Sequence, residues 1–217
     1  MVYYFAWQPD ALPVLPEDWQ KYLSPQRLEK ALAYKNEKDK IASVYAFLLL
    51  RYALYKEYGI TEMPDIYTDE NGKPQEKNGR YHFNISHCAT GVACAVDTTC
   101  IGVDVQDFRP IRNNVLPKVC SENEQALLLQ CSTPEKLFAA FWAGKEAYGK
   151  YTGEGIGYAM NEKSFCADGV LPSVAFEGNC MVQTDMHENF ALSVCSGFEM
   201  QMQEIKERDL QLFLHLL

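Results

Sequence analysis

The sequence predicts an α+β fold. Helical periodicity fills residues 24 to 58, turn formers and period-two alternation replace it from Ile66 to Gln106, and two capped helices followed by strand-like runs repeat the order in the second half. No register of repeated residues accompanies that recurrence, so the halves are alike in element order only.

Ser24-Pro25 reads as an N-cap followed by a first-turn proline, and Arg27, Leu28, Lys30, Ala31, Leu32 and Tyr34 continue it as an amphipathic helix. A second, more buried helix runs roughly from Ile41 to Tyr58 and stops at Gly59, a C′ glycine. Asp69-Glu70-Asn71-Gly72-Lys73-Pro74 is dense in turn formers, with Asn71-Gly72 a strong hairpin signal. His82-Phe83-Asn84-Ile85-Ser86-His87 and Val92 to Val96 then read as two strands joined by a tight connection through Gly91. From Ile101 to Gln106 the alternation is explicit: Ile101, Val103 and Val105 share one face, Gly102, Asp104 and Gln106 the other. Ser121 with Glu124 predicts a capped helix, and a longer one begins at Ser132-Thr133-Pro134-Glu135, capped either by Ser132 with Glu135 or by Thr133 with Pro134 at N1. It is expected to reach about Lys150 before Gly153, Gly155 and Gly157 break it, with strands following around Cys180 to Thr184 and Phe190 to Cys195.

Composition bounds what such a chain can do. With 217 residues, 47% hydrophobic and 23% charged, it can bury a core as one domain or as two small halves, which excludes disorder. The longest apolar run, Val44 to Leu50, is stopped by Arg51, well short of the roughly 18 to 20 residues a bilayer span requires. Met1 to Trp7 is apolar without a basic flank or a small-residue cleavage site, so no signal peptide and a cytoplasmic home are expected. Eight cysteines contain no C-x-x-C pair, and Cys88, Cys94 and Cys100 sit among Ala, Val and Ile as small buried hydrophobes do. A net charge of −9 opposes nonspecific binding to nucleic acid or anionic membranes. Lys21 to Glu57 is the exception, with eight basic residues against four acidic ones; by itself this reads as the solvated face of helices.

Three segments hold side chains that can do chemistry. Trp142, Lys145, Glu146, Gly149 and Lys150 share one helical stripe, in which Glu146 and Lys150 make either an ordinary exposed ion pair or part of a site. Asp104 either faces solvent at the end of its strand or joins Glu146 as a carboxylate pair, the arrangement by which proteins hold Mg²⁺ while leaving positions for substrate phosphates. Ser86 and His87 leave a strand at a turn, where exposed donors suit phosphate oxygens; with no G-x-S-x-G elbow they do not read as a hydrolase pair.

The order Gly72-Lys73-Pro74, Phe83-Asn84-Ile85-Ser86-His87, Ile101 to Gln106, and Phe141-Trp142-Ala143-Gly144-Lys145-Glu146-Ala147-Tyr148-Gly149-Lys150 resembles the 4′-phosphopantetheinyl transferase superfamily, surfactin-synthetase type, over about Ser24 to Cys195. The resemblance implies a pseudo-twofold pair of similar α/β subdomains, residues 1–100 and 101–217, acting as a monomer on coenzyme A and an acyl or peptidyl carrier protein. It implies that Gly72, Lys73 and Pro74 flank the adenine, that Ser86 and His87 contact phosphates, His87 the 3′-phosphate, and that Arg27 and Lys30 lie near the same group. Asp104 and Glu146 would hold Mg²⁺, Glu146 would also take the serine proton, and Lys150 would hold the pyrophosphate, with Lys145 orienting the site. Two departures stand out: Gln106 replaces a second strand acid, offering the Mg²⁺ one amide oxygen or a held water in its place, and Ala42 replaces a family arginine, for which Lys38 or Lys40 would have to substitute. A noncatalytic binding module and a metal-dependent phosphodiesterase are the competing classes.

Overall fold

The computed structural model describes residues 1–112, 114–155, 159–165, 174–177 and 179–217. Gly157 and Cys166 lie outside them. The fold is mixed α+β and divides into two compact units, Met1–Thr98 with Gln201–Leu217, and Thr99–Met200. Gln201–Leu217 belongs to the first unit, whereas the division drawn from sequence put it with residues 101–200. Strand pairing gives the reason.

In the first unit, β1 (Val2–Ala6) precedes α1 (Pro25–Ala33), α2 (Glu37–Tyr58), the hairpin β2 (Ile66–Thr68) and β3 (Pro74–Glu76), then β4 (His82–His87) and β5 (Gly91–Asp97). Ser24 caps α1 by accepting from the Arg27 amide, as expected. α2 starts four residues earlier than the apolar pattern suggests because Asn36 caps it, accepting from the Lys38 amide at 3.0 Å. Every residue from Ile41 to Leu54 is buried, so α2 is the unit's central core helix rather than an amphipathic one. Even Arg51 is inside, donating to the carbonyls of Tyr22 and Thr61 at 3.3 and 2.6 Å. Gly59 ends the helix in the left-handed conformation at φ 68°.

The apolar amino terminus, not predicted as a strand, is β1. It lies inside the sheet, antiparallel to β5 and flanked on its other edge by a parallel strand from the far end of the chain. Its Val2, Tyr3 and Phe5 are buried and Tyr4 and Ala6 half-buried, and all five side chains are apolar or aromatic, so the sequence carries no period-two contrast to mark it.

In the second unit, β6 (Gly102–Asp107), α3 (Leu116–Val119), α4 (Glu122–Gln130), α5 (Pro134–Thr152), β7 (Val174–Glu177), β8 (Cys180–Met186) and β9 (Phe190–Ser196) follow. The strands form an antiparallel sheet in the order β6-β9-β8-β7, with α5 packed on it. The Ser121–Glu124 capping box of α4 is present, and α5 takes Pro134 at N1 after Thr133, without a side-chain cap. The chain then returns to the first unit as β10 (Met202–Glu204), paired with β1, and α6 (Glu207–Leu214), whose Phe213 ring packs against Tyr52 and Tyr55 of α2. No helix among the described residues is long and apolar enough to cross a membrane. Of the three regularly spaced cysteines only Cys94 is buried; Cys88 is half-buried and Cys100 exposed, a correction to reading all three as core.

Candidate functional site

In the second unit the site is built by the close approach of one helix to one strand. A Cβ added at Gly102 would fall 2.1 Å from the Ala147 carbonyl oxygen and 2.5 Å from the Tyr151 amide nitrogen, so only glycine lets α5 sit on β6 here. Farther along, Ala139, Ala140 and Ala143 of α5 cluster with Ala191 of β9, the residue opposite Gln106. Small residues at both ends bring helix and sheet together. The face carrying Gly102, Asp104 and Gln106 is therefore the helix-facing one.

Asp104 is buried in the middle of this face, which removes the reading of a solvent-facing strand end. Lys150 reaches across from α5 and donates to Asp104 Oδ1 at 2.6 Å and to the Val103 carbonyl at 3.1 Å. Glu146 and Lys150 are both half-buried, so they are not an exposed helix pair, and Lys150 bridges to the strand. Glu146 is half-buried and its Oε1 is buried without a hydrogen-bond partner. Burial first, and then the Asp104 charge, push its carboxyl above the ordinary glutamate range, while Lys150 pulls it back. Opposite Asp104 on β9 stands Ser193, whose hydroxyl pairs with that of Thr184 on β8 at 2.8 Å. This polar row was not foreseen; strand register alone reveals it.

Gln106 is half-buried, and its amide nitrogen donates to the Asp107 carbonyl at 3.3 Å. Two carboxylates, one with a desolvated and unpartnered oxygen, plus a side-chain amide form a hard oxygen-donor set. That set suits Mg²⁺, which takes one or two carboxylates and completes its shell with water and phosphate oxygens. No cluster of three or more His, Cys, Asp or Glu side chains able to hold a metal occurs among the described residues.

Lys145, adjacent to Glu146, points elsewhere. It is fully buried and donates to Glu124 Oε2 and to the carbonyls of Val119, Met160 and Lys163 at 2.6 to 2.8 Å. Glu124 in turn accepts from the Ser121 and Phe165 amides. The pair ties α5 to the start of α4 and to the segment after α5.

The remaining sequence candidates lie in the first unit. Gly72 takes φ 82° in the β2–β3 turn, with Lys73 beside it and Pro74 opening β3. Ser86 and His87 end β4, Ser86 buried and His87 exposed. Arg27 turns inward: its Nη2 donates to the Ser43 carbonyl and hydroxyl at 2.9 and 3.2 Å, its plane lies over Phe47, and its buried Nε has no hydrogen-bond partner. Lys30 is close enough that burial and then Arg27's charge lower its pKa, two cations in one patch. Ala42 is buried in α2, Lys40 pairs with Glu37 at 2.5 Å, and Lys38 is exposed.

Comparison with known proteins finds that residues 100–195, which contain β6 through most of β9, match the model of the 4′-phosphopantetheinyl transferase superfamily. The chain is 30% identical over 191 residues to the 4′-phosphopantetheinyl transferase psf-1 of Bacillus pumilus, covering 83% of this chain and 81% of that protein. It is 28% identical over 152 residues to the 4′-phosphopantetheinyl transferase Sfp of Bacillus subtilis, covering 68% of each. A shorter match, 37% identical over 79 residues, is to the 4′-phosphopantetheinyl transferase HetI of a Nostoc species, 34% of this chain and 33% of that one.

Proposed function

The chain belongs to the 4′-phosphopantetheinyl transferase superfamily, and from that premise we propose that Asp104, Glu146 and Lys150 are its transfer centre. The reaction moves 4′-phosphopantetheine from coenzyme A to a serine hydroxyl of a carrier protein: the serine oxygen bonds to the β-phosphorus, the pyrophosphate link breaks, and 3′,5′-ADP leaves. The observation that carries the assignment is that α5 and β6 bring these three side chains to one place, with a carboxylate oxygen of Glu146 buried and unpartnered.

Each residue's environment suits a separate task. Glu146, raised toward neutrality by burial and by Asp104, is poised to accept the serine proton, since a general base works best when its pKa approaches the working pH. Lys150, oriented by Asp104, places a fixed positive charge where negative charge grows on the departing phosphate. Asp104 and Glu146, with the Gln106 amide oxygen or a water, would hold Mg²⁺, which when bound supplies neutralisation of the pyrophosphate. In the first unit, Gly72, Lys73 and Pro74 are assigned to the adenine, and Ser86, His87, Arg27 and Lys30 to the phosphates; the shared cationic character of Arg27 and Lys30 supports the last two. We assign a cytoplasmic monomer serving an acyl or peptidyl carrier protein.

The deciding experiment is to incubate the protein with coenzyme A, Mg²⁺ and an apo carrier domain and to weigh the carrier. Gain of one phosphopantetheine group is expected. Binding of coenzyme A with no change in carrier mass would mean a noncatalytic module, and cleavage of coenzyme A without a carrier a phosphodiesterase.

A further inference from the structure

Among the described residues the β2–β3 hairpin arm is a two-stranded sheet of its own, and isolated hairpins are marginally ordered in water. Its loop spans five residues between Thr68 and Pro74, which pair with each other, so a two-residue turn is not what holds it. The Asp69 side chain does that work. Its Oδ1 accepts from the Asn71 and Lys73 amides at 3.0 and 2.8 Å, and its Oδ2 accepts from Gln75 Nε2 at 3.1 Å. The Asp69 backbone closes the same loop, its amide donating to the Lys73 carbonyl and its carbonyl accepting from the Gly72 amide, both at 3.0 Å. Hydrogen bonds from Gln75 and from the Lys73 and Asn71 amides hold the carboxyl below its ordinary range, which matches an ionised acceptor serving three donors.

We propose that Asp69 is a positioning residue for coenzyme A: it fixes the conformation in which Gly72, Lys73 and Pro74 meet the nucleotide end of that substrate. The inference rests on the assignment of this segment to the adenine and adds to it the residue that pre-forms the loop. Every backbone amide from Asn71 to Lys73 is committed, two to the Asp69 side chain and one to its carbonyl. Gly72 at φ 82° completes a geometry that few residues adopt. A loop ordered before binding does not lose that freedom on binding, so its contribution appears in affinity rather than in the chemical step. The base of the arm is held separately: Glu76 accepts from the Asn78 and Arg80 amides and pairs with the Arg80 guanidinium, so loss of Asp69 leaves the β3–β4 connection in place.

The test uses the full chain, with Asp69→Ala and Asp69→Asn compared to wild type. Asparagine keeps an oxygen for the two amides, and Gln75 can turn its own amide to face it. Asp69→Ala is expected to raise KM for coenzyme A about fivefold or more and to lower kcat at saturation by less than about twofold, the pattern of lost preorganisation. Calorimetric binding of 3′,5′-ADP, which lacks the pantetheine arm, should weaken by the same factor, and Asp69→Asn should recover most of both. Unchanged 3′,5′-ADP affinity in a folded Asp69→Ala protein overturns the proposal, as does a loss in Asp69→Asn equal to that in Asp69→Ala. Absence of transfer by the wild-type protein would instead count against the transferase assignment, so the two failures are told apart.

Discussion

Replacing Gly102 by alanine puts a methyl group where two backbone atoms of α5 already stand. Heavy atoms essentially never come within 3.0 Å of a Cβ, yet the Ala147 oxygen and the Tyr151 nitrogen would be at 2.1 and 2.5 Å, so strand and helix must part by roughly 1 Å. Neither atom can rotate away as a side-chain tip can. The separation is imposed within two residues of Asp104, whose bond to Lys150 is 2.6 Å long and bridges the same two elements. We expect overpacking to cost about 2 kcal/mol, lowering Tm by about 4 to 8 °C. A 1 Å displacement of Lys150 and Glu146 from Asp104 is expected to cut kcat about a hundredfold. Thermal denaturation and the carrier mass assay read the two effects. Gly144→Ala is the internal control: its methyl would meet side-chain atoms of Phe165 and Val182 at 3.3 and 3.4 Å, contacts that can yield by tenths of an ångström. A Gly102→Ala protein with wild-type Tm and turnover would refute the claim that this approach builds the site.

The other expectations rest on single side chains. Asp104→Ala leaves Lys150 without its carboxylate partner and should lower turnover by about a hundredfold or more, measured in the same assay on protein whose fold is checked by circular dichroism. Glu146→Gln should remove activity yet stabilise the chelator-treated protein at pH 7. Since its folded pKa lies above the ordinary 4.5, the wild-type carboxyl favours folding fully only below that value and loses the contribution as pH rises through the folded pKa; denaturant titrations should therefore show a fall over this interval that the variant lacks. His87→Ala should raise KM for coenzyme A more than it lowers kcat, and the penalty should shrink with 3′-dephospho-coenzyme A; equal penalties would remove the 3′-phosphate role. Gln106→Glu adds a negative oxygen donor on the face of Asp104 and should lower the Mg²⁺ concentration for half-maximal activity, with a smaller change at saturating metal; an unchanged requirement would mean that residue 106 stands outside the metal shell.

Local chemistry was legible in the sequence where a residue acts on its immediate neighbours. Ser24, Ser121 and Gly59 cap and end helices through bonds spanning a few residues, and Asp104 with Gln106 share a face because strands alternate. Long-range pairing was not legible. β1 and β10 are some 200 residues apart in the chain and β10 is three residues long, so neither carries a pattern that names the other. The same distance dependence hid the purpose of Gly102: strand alternation shows a glycine on the polar face, while its reason lies in the backbone of α5. Asp69 was read as one more turn former, because composition does not say which carboxylate oxygen receives which amide.

Two lysines five residues apart on α5 show why burial, and not residue type, separates support from chemistry. Lys145 is wholly buried, and its three N–H donors meet four oxygens, one of them on the buried Glu124. A charge desolvated to that degree persists only because its partners are complete, and such a group has nothing left to offer a substrate. Lys150 remains partly accessible beside Asp104, and the neighbouring Glu146 keeps a buried oxygen without a hydrogen-bond partner. Leaving a polar group unsatisfied costs stability, about 1 to 3 kcal/mol in general. The second unit accepts that cost at Glu146 while the Lys145–Glu124 anchor holds the same helix. On the proposed assignment a cation or the serine proton would meet this oxygen, so the group that costs the fold stability would be the one that draws positive charge to the site.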